Sequence, residues 1–448
     1  MTNSSLLPRR RVLMISPHFP PDTTAATHRV RLLAPHLAEL GWDPTVLTID
    51  PQGYEGRLDA GLAALVPGNL RVVRCRAWSP KWTRLLGIGD LGLRSMAGLY
   101  GACASLLRRE AFDALFITTY PMYPAVLGPL LKRRFGVPFV IDFQDPWVGS
   151  WGATVGRARG GGADVKSRLT RHIAGRLERF VLPAADAITA VSAATYEEAI
   201  ARVPAASATV RAAMPLGGEA HDFDAIRRDP HPTSFFDPRD GCLHLCYVGT
   251  LLPLGVAVAT ALLIAFSKLR RARPDLYGRT RVHFIGTSNQ TASDERRASE
   301  IAAALGVADI VSEHPSRVDY AEALRVQATA TAILLLGSSE PHYTPSKVFP
   351  ALLARRPILA AFHEQSAVVD LLGRVARRPS VRVVTYDGGV SAPALAEALY
   401  PELVALLEAP AYDIRDVPPE SFAPFSARAM AARLAAVLDT IHVKRCAA

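Results

Sequence analysis

Short apolar runs rich in β-branched residues alternate with segments of helical apolar spacing, and this alternation occurs in two successive series. Such alternation is typical of parallel βαβ units. The first series contains the predicted strands RRVLMIS, DPTVLTI, LRVVRCR, ALFITT, PFVIDF and AITAVS. The second contains LHLCYVG, RVHFIG, IVSEH, TAILLLG, PILAAF and VRVVTY. The pattern predicts an α/β protein with two doubly wound parallel sheets.

The length of the chain also favours two domains, because 448 residues exceed the roughly 250–300 residues at which single cores stop growing. The Pro- and Asp-rich segment RRDPHPTSFFDPRDG separates the two series and predicts a linker. We expect one Rossmann-like domain over 1–225, the linker over 226–241 and a second Rossmann-like domain over 242–410. Residues 411–448 contain a helical pattern over Ala427–Val443, which we expect to pack back on the first domain.

Ligands of doubly wound folds bind at the carboxyl ends of the strands, where loops and helix N-termini supply backbone N–H groups. The chain has neither a GxGxxG after its first strand nor a GxxxxGK[ST]. Their absence disfavours dinucleotide-binding enzymes and P-loop NTPases. The loops to search follow Ser16, Phe143, Gly249, Gly286, His314 and Gly337.

The cysteines and apolar runs indicate a reducing compartment. The five cysteines have neither CxxC nor His-partnered spacing, which predicts no structural metal; they are Cys75, Cys103, Cys242, Cys246 and Cys446. The apolar run after Arg11 is too short for a signal-peptide core. The stretch Leu251–Phe266 is interrupted by Pro253 and falls short of the ~20 residues of a membrane span. We expect a cytoplasmic protein.

The net charge of +10 is concentrated in residues 1–215. Basic surfaces attract nucleic acid, anionic lipid or phosphorylated substrates, although they also serve simply as solubilising surface. Two stretches combine cations with apolar side chains, Lys81–Leu86 and Arg157–Arg179. Either could bind the inner face of an anionic membrane, or be a solvated helix face. We expect no nucleic-acid partner.

Several segments in order resemble the retaining GT-B glycosyltransferases, the family-4-like sugar-nucleotide transferases. They are SPHFPPDTTAATHRVRLLAPHLAELGWDPTVLT, PAVLGPLLKRRFGVPFVIDFQDPW, AADAITAVSAAT, YVGTL and TPSKVFPALLARRPILA. The resemblance covers most of residues 11–361. It implies two Rossmann-like domains with an interdomain cleft, a nucleotide-diphospho-sugar donor, a hydroxyl acceptor, and no cofactor or metal ion.

The segment TPSKVF is the expected donor site. If Thr344 caps a helix with Pro345 at its first position, Ser346 and Lys347 fall in the first turn. Free N–H groups, the positive helix end and an ammonium group would then meet at a diphosphate. An ordinary capped helix with an exposed lysine is the alternative. The resemblance adds Gly249, Thr250, Arg317 and His342 as donor-binding residues.

The chain departs from the family pattern at two positions. Retaining members usually carry two glutamates eight positions apart, and alignment on Lys347 places His342 and Pro350 there. Glu340 is the nearest alternative to the first glutamate, and nothing replaces the second. Pro350 would also cost about 3 kcal/mol in a helix interior unless the helix kinks or begins later.

The acceptor side of the predicted site rests on two loops. Asp145 follows a strand and could orient or deprotonate an acceptor hydroxyl, or merely close an Asx-type turn before Pro146. His18 and Arg29 flank the FPP loop, which contacts acceptor or donor phosphate in the resembling enzymes; a turn histidine is the alternative for His18. Asp142 is interpreted as structural.

These expectations lead to a hypothesis of sugar transfer from a nucleotide-diphospho-sugar to a hydroxyl, with retention, in polysaccharide, surface-glycan or glycosylated-metabolite synthesis. A lipid-linked acceptor would require a membrane-binding surface, whereas a soluble acceptor would not. Two alternatives stay open. One is a catalytically impaired GT-B-like partner protein, favoured by the missing glutamates, and the other is a sugar-nucleotide epimerase on the same fold.

Overall fold

The computed structural model describes residues 9–148, 165–228, 231–288, 294–339 and 345–447. The chain forms two compact units. Unit 1 combines the residues up to Gly217 with those from Ala427 onward, and unit 2 runs from Gly218 to Ser426.

Unit 1 contains a seven-stranded parallel sheet in the order β3-β2-β1-β4-β5-β6-β7. Its strands are β1 (Arg10–Ile15), β2 (Trp42–Ile49), β3 (Arg71–Cys75), β4 (Ala114–Thr118), β5 (Phe139–Phe143), β6 (Ala187–Ala190) and β7 (Val210–Ala213). The first six were predicted from the sequence. The edge strand β7 was missed, because its four residues VRAA carry little apolar signal.

Unit 2 contains a six-stranded parallel sheet in the order β10-β9-β8-β11-β12-β13. Its strands are β8 (Leu243–Val248), β9 (Thr280–Ile285), β10 (Val311–His314), β11 (Ala332–Leu336), β12 (Ile358–His363) and β13 (Val381–Tyr386). All six predicted strands are present. The two sheets confirm the α/β prediction of two Rossmann-like doubly wound units.

Helices connect the strands, as parallel pairing requires. In unit 1 they begin with α1 (Thr27–Leu37), α2 (Ala60–Ala64), α3 (Pro80–Thr83), α4 (Leu91–Arg109), α5 (Leu127–Phe135), α6 (Val165–Val181) and α7 (Ala193–Arg202). In unit 2 they are α8 (Ala220–Arg228), α9 (Val256–Ala272), α10 (Pro274–Arg279), α11 (Arg297–Ala304), α12 (Tyr320–Thr329), α13 (Val348–Leu353), α14 (Ala367–Val375), α15 (Ala392–Glu408) and α16 (Pro419–Phe422). The last helix, α17 (Ala427–Ala447), returns to unit 1.

Both faces of the unit 1 sheet are covered. Along β1, Leu13 and Ile15 enter one apolar cluster whereas Val12 and Met14 enter the other, as the two-residue repeat of a strand requires. The second cluster includes side chains of α17, and the indole Nε1 of Trp42 donates to Asp439 of that helix at 2.9 Å. The prediction that the C-terminal helix packs on the first domain is confirmed.

The core of unit 2 is centred on α9, whose side chains Leu262, Phe266 and Leu269 are fully buried. Among the described residues, Pro253–Ala272 is the one helical stretch long and apolar enough to cross a membrane by length and composition. In this structure its buried side faces the core of unit 2.

The segment between the two sheets is partly helical. Residues 226–228 of the predicted linker form the last turn of α8, which lies in unit 2. Asp222 in this helix accepts a hydrogen bond from the hydroxyl of Tyr320 at 2.9 Å. This contact fixes α8 to α12.

Candidate functional site

The strand order predicts where a ligand would bind in each unit. In doubly wound sheets ligands bind outside the carboxyl ends of the strands, where the chain switches direction across the sheet. That switch point lies between β1 and β4 in unit 1 and between β8 and β11 in unit 2. The loops after these four strands therefore position the candidate residues.

A lysine and a tyrosine meet at the switch point of unit 2. Lys347 directly precedes α13. Its Nζ donates a short hydrogen bond to the hydroxyl of Tyr247, which lies at the end of β8. The same Nζ lies 3.8 Å from the centroid of the Tyr247 ring and 3.4 Å from the carbonyl oxygen of Thr250. The Tyr247 hydroxyl donates to that carbonyl at 2.7 Å. The phenol thus fixes the position of the ammonium group.

Gly249 lies beside this contact, and its backbone conformation favours glycine, whereas a Cβ would make only ordinary van der Waals contact with Lys347. Its φ of 118° is one that residues with a side chain rarely adopt. A Cβ there would lie 3.5 Å from the Cδ and 3.7 Å from the Nζ of Lys347. The predicted donor residues Gly249, Thr250 and Lys347 are therefore brought together, whereas sequence reasoning missed Tyr247, whose only signal is its place at a strand end.

The electrostatics of Lys347 depart from those of a surface lysine. Burial lowers the pKa of its ammonium group to about 7. Among the described residues, its polar partners are the hydroxyl of Tyr247 and the carbonyl of Thr250, neither of which is charged. An anion placed here would restore the charged form of the lysine.

The helix after Lys347 begins later than predicted. Lys347 itself is the N-cap, and α13 runs from Val348 to Leu353, so the prediction of a helix starting at Pro345 is wrong. A helix of only six residues has a weak macrodipole, so it would attract an anion at its N-terminus only weakly. Pro350 falls in its first turn, where backbone N–H groups have no helical partner in any case. The expected penalty for Pro350 is therefore avoided by the later start.

The other predicted donor residues do not join this cluster in the described structure. His342 and Thr344 lie outside the described residues, as does Glu340. Ser346 is exposed. Arg317 lies in the loop after β10, two strands away from β8. Their roles stay predictions.

A buried histidine–carboxylate pair lies in the loop after β1 of unit 1. The Nδ1 of His18 is 2.7 Å from Oδ2 of Asp22. That oxygen also accepts from the hydroxyls of Thr24 at 2.6 Å and Thr27 at 2.9 Å. Burial raises the pKa of the Asp22 carboxyl, but these hydrogen bonds outweigh it and hold the pKa below its usual range. Asp22 was not predicted, although its four-residue spacing from His18 in HFPPD was a readable signal.

Arg29 is engaged in a fully buried ion pair. Its Nε and Nη2 donate to the two carboxylate oxygens of Asp142 at 2.8 and 2.6 Å. Its Nη1 donates to the carbonyls of Met214 and Pro215 at 2.7 and 3.0 Å. Arg29 therefore ties β5 to the segment after β7 and lies 0% exposed. Its predicted contact with phosphate has no support in this arrangement, whereas the contacts of Asp142 agree with a structural role.

Asp145 lies in the loop after β5. Partial removal of water by the surrounding protein raises the pKa of its carboxyl. Because the side chain is also exposed to solvent, this rise is limited. Two buried donors in the same loop, Nε2 of Gln144 and Nε1 of Trp147, have no partner among the described residues. The loop thus presents a carboxylate and two unused N–H donors, but no described contact links Asp145 to His18.

The cysteines and metal-binding residue types form no site in the described part of the chain. No group of three or more His, Cys, Asp or Glu side chains there is arranged to hold a metal ion. Burial raises the pKa of the thiols of Cys75, Cys103 and Cys246. These thiols are small core side chains rather than nucleophiles.

Comparison with protein families matches residues 24–217 to the glycosyl transferase 4-like domain. This range includes Arg29, Asp142 and Asp145. Comparison with curated proteins finds no match.

Solved structures with the same fold span nearly the whole chain. HepE from Anabaena, crystallised with UDP and glucose, is 12% identical with a TM-score of 0.59, over 96% of this chain and 100% of that one. A UDP-forming α,α-trehalose-phosphate synthase from Burkholderia xenovorans, in complex with glucose-6-phosphate, is 11% identical with a TM-score of 0.61, over 96% and 100%. A glycosyltransferase from Rickettsia africae is 13% identical with a TM-score of 0.56, over 97% and 98%. At such identities the likeness establishes the fold alone.

Proposed function

We propose that this chain moves a sugar from a nucleoside-diphospho-sugar to a hydroxyl acceptor with retention at the anomeric carbon. The match of residues 24–217 to the glycosyl transferase 4-like domain and the fold shared with solved glycosyltransferase structures support this proposal. UDP is the first nucleotide to test, since the similar HepE structure holds UDP. Synthesis of a polysaccharide, surface glycan or glycosylated metabolite is the corresponding role.

The observation that carries this proposal is the placement of Lys347. Its ammonium group lies at the switch point of unit 2, fixed by Tyr247 and Thr250, with no carboxylate among its described partners. The leaving diphosphate supplies the missing negative charge. Charge-assisted hydrogen bonds of this kind are stronger in a site partly removed from water.

The proposed reaction uses no metal ion or cofactor. Lysine and backbone N–H groups neutralise the leaving group, and Asp145 orients the acceptor or stabilises positive charge on the sugar ring. Unchanged turnover after chelation with EDTA is the expected result. A loss of turnover that Mg²⁺ or Mn²⁺ restores would contradict metal independence.

We also propose that the protein acts in the cytoplasm at the inner face of a membrane. Three apolar side chains lie exposed in one short segment, with Trp78 60%, Trp82 74% and Leu85 78% exposed. Lys81 lies in the same segment and adds a positive charge. A surface that combines apolar side chains with a cation suits binding to an anionic bilayer. The described part of the second basic stretch is α6; residues 157–164 lie outside the described ranges. Sedimentation with phosphatidylglycerol vesicles, lost in Trp82→Ser/Leu85→Ser, is the test.

The central experiment has two readouts. Calorimetric titration with UDP, GDP and TDP measures donor recognition. Incubation with the matching nucleotide-sugars and sugar or lipid-linked acceptors, followed by NMR, gives the product and its anomeric configuration. A new glycoside with the donor's configuration is expected. The absence of binding to all three nucleotides would overturn the proposal.

A second candidate function, a catalytically impaired partner of an active transferase, is favoured by Pro350, which stands where the family carries its second glutamate. In the usual geometry that glutamate grips the ribose, so Pro350→Glu should tighten UDP binding about tenfold or more. The deoxyribose analogue should not gain affinity. Unchanged or weaker binding of both would mean that α13 holds a different donor pose and would overturn the alignment of Pro350 with that glutamate.

A further inference from the structure

An exposed apolar patch lies at the edge of the unit 1 sheet where its ligands are expected. The patch consists of Trp78, Trp82 and Leu85, each more than half exposed. These residues belong to the segment that joins β3 to α4. Because β1 to β4 are parallel to one another, this segment starts at the same edge as the loops after β1 and β4, which flank the switch point. The patch and the expected ligand loops therefore share one edge of the sheet.

The buried Arg94 of α4 fixes the patch to the loop after β2. Its Nη1 donates to the carbonyl of Trp78 at 2.7 Å, and its Nη2 donates to the carbonyl of Gly53 at 3.1 Å. The next residue of that loop, Tyr54, stacks on His18 with ring centroids 6.1 Å apart and an interplanar angle of 16°. A continuous set of contacts thus runs from the patch to the loop after β1.

The ligand loops beside the patch present an aromatic surface. The ring of Tyr120, in the loop after β4, lies 5.8 Å from that of His18 and is partly exposed. The apolar face of a sugar ring can stack on such an exposed aromatic ring. Asp90 caps α4 through the backbone N–H of Leu93 at 3.0 Å and lies close enough to His18 to interact electrostatically. Leu85 precedes Asp90 by only five positions, which span at most about 18 Å. A headgroup bound beside His18 therefore lies close to any surface on which the patch rests.

Positive charge surrounds the apolar side chains of the patch. Lys81 adjoins Trp82, and the side chain of Arg84 is 67% exposed. Glu55 forms ion pairs with both Arg84 and Arg94, so one carboxylate faces two guanidinium groups. Apolar and aromatic side chains combined with an excess of cations favour an anionic lipid surface as the partner of this patch.

We propose that the acceptor is a membrane lipid whose headgroup carries the reacting hydroxyl, and that the patch rests on the anionic bilayer that presents this lipid to unit 1. This inference rests on the proposed function and names its acceptor class. In the overall reaction the lipid hydroxyl exchanges its proton for the glycosyl group. The bond from the anomeric carbon to the diphosphate breaks, its electron pair leaves with the nucleoside diphosphate, and the hydroxyl proton passes to the solvent. Trp82 and Leu85 are positioning residues, because they contact the bilayer and not the reacting atoms.

The test follows radiolabelled sugar from UDP-, GDP- and TDP-sugars into the products made by the full chain. The acceptors offered are the total lipid extract of the native cells, incorporated into phosphatidylglycerol vesicles, and the water-soluble extract of the same cells. We expect label in a butanol-soluble lipid product. Trp82→Ser/Leu85→Ser should form this product at least tenfold more slowly, with a Kd for the nucleoside diphosphate within twofold of the wild-type value.

Val443→Ser is the matched control. Val443 is 63% exposed on α17 and lies one helical turn after Asp439, which pairs with Arg10 at the start of β1. It is therefore an exposed apolar side chain at the opposite edge of the sheet. This variant should label lipid at the wild-type rate, and an equal loss in both variants would contradict a specific role of the patch.

Tryptophan fluorescence gives a second readout that needs no turnover. Brominated phosphatidylglycerol in the vesicles should quench the fluorescence of the wild-type protein, and Trp82→Ser should reduce this quenching at least twofold. Label in water-soluble products alone, or lipid labelling that is undiminished in the double variant, overturns the inference while leaving the proposed function standing. A dimer in sedimentation velocity that dissociates in the double variant assigns the patch to a second copy of the chain and also overturns it. Absence of transfer to either extract overturns the proposed function, and this inference with it.

Discussion

The ammonium nitrogen of Lys347 lies 3.8 Å from the centroid of the Tyr247 ring, with the phenolic oxygen as its hydrogen-bond acceptor. A single side chain thus provides both a π face and an oxygen to one cation. Neither carries a full negative charge. The arrangement fixes the position of the lysine while leaving its charge to be balanced by a ligand.

Removal of the Lys347 charge should weaken nucleotide binding. Lys347→Met keeps most of the aliphatic stem, so we expect a 10- to 100-fold higher Kd for the nucleoside diphosphate, which corresponds to about 1.5–3 kcal/mol. Isothermal titration calorimetry measures this change in Kd. Lys268→Met, which removes a lysine of α9 paired with Glu397, should bind like the wild type. An equal effect of both changes would point to general electrostatics.

Nucleotide binding should also take up protons above neutral pH. The pKa of Lys347 is about 7 in the free protein, and a bound diphosphate raises it by favouring the charged form. Affinity should therefore fall as pH rises from 7 to 9, with Lys347→Met showing a weaker dependence. Titrations in buffers of different ionisation enthalpy measure the protons taken up. Proton release in this range would contradict the assignment.

Asp145→Asn should reduce turnover with little effect on nucleotide affinity, because the proposed role of the carboxylate concerns the acceptor and the transition state. Steady-state kinetics combined with UDP titration separate the two quantities. A thermal-melting midpoint matching that of the wild type is part of the expected result. A lower midpoint with unchanged kcat would favour the structural turn before Pro146.

The Arg29–Asp142 pair should prove structural. Arg29→Met leaves the Asp142 carboxylate buried without its partner, which costs about 3–5 kcal/mol of unfolding free energy. The double variant Arg29→Met/Asp142→Leu should recover part of this loss. Arg211→Met, which breaks an exposed pair with Glu197, is the matched control. Urea unfolding measures all three, and a fully stable Arg29→Met protein would contradict this role.

Acidification should destabilise the protein through a buried histidine pair in unit 2. His283 lies 3.0 Å from His244 through ring nitrogens, and Nε2 of His244 lies 3.0 Å from Asp240. Burial is the largest of the effects that lower the pKa of His283 to about 4. The charges of His244, His314 and Arg281 lower this pKa further, and the charge of Asp240 opposes them.

The sign of this effect follows from the lowered pKa. The unfolded chain binds this proton near pH 6.5 and the folded chain only near pH 4, so the free energy of unfolding falls between those values. The loss is at most about 3 kcal/mol. His283→Gln keeps a hydrogen-bonding side chain and should flatten the unfolding free energy between pH 6.5 and 4. An equally steep decline in that variant would assign the titration elsewhere.

The central strands, such as β4, β5 and β11, were predictable from sequence because each is a short apolar run buried on both faces, and such runs need no knowledge of their neighbours. The edge strand β7 lacks this signal and was missed. The contacts of the candidate site were predictable only in part. Lys347 and Gly249 were found through the family resemblance, yet Tyr247, which contacts Lys347, was not. Its role depends on the parallel order of β8 and β11, which brings together residues one hundred positions apart.

The errors in the site have physical causes that single residues do not reveal. Arg29 was predicted to contact phosphate because it flanks the FPP loop of the resembling enzymes, and the sequence carries no sign that its partner is the distant Asp142. The start of α13 was misplaced because Thr344 and Pro345 form a strong N-terminal signal. The chain instead begins the helix at Val348, which places Pro350 where its missing N–H does no harm.

The return of α17 to unit 1 has a consequence for biosynthesis. Met430, Leu434 and Leu438 belong to the apolar cluster that covers Met14 and Phe116 on one face of the first sheet. The ribosome must make all of Gly218–Ser426 before these side chains emerge, an interval of roughly 10–40 s at ~5–20 residues per second. During that time α1 already packs on this face, but the part that α17 covers stays exposed. The nascent first sheet is therefore a substrate for chaperones until α17 has been synthesised.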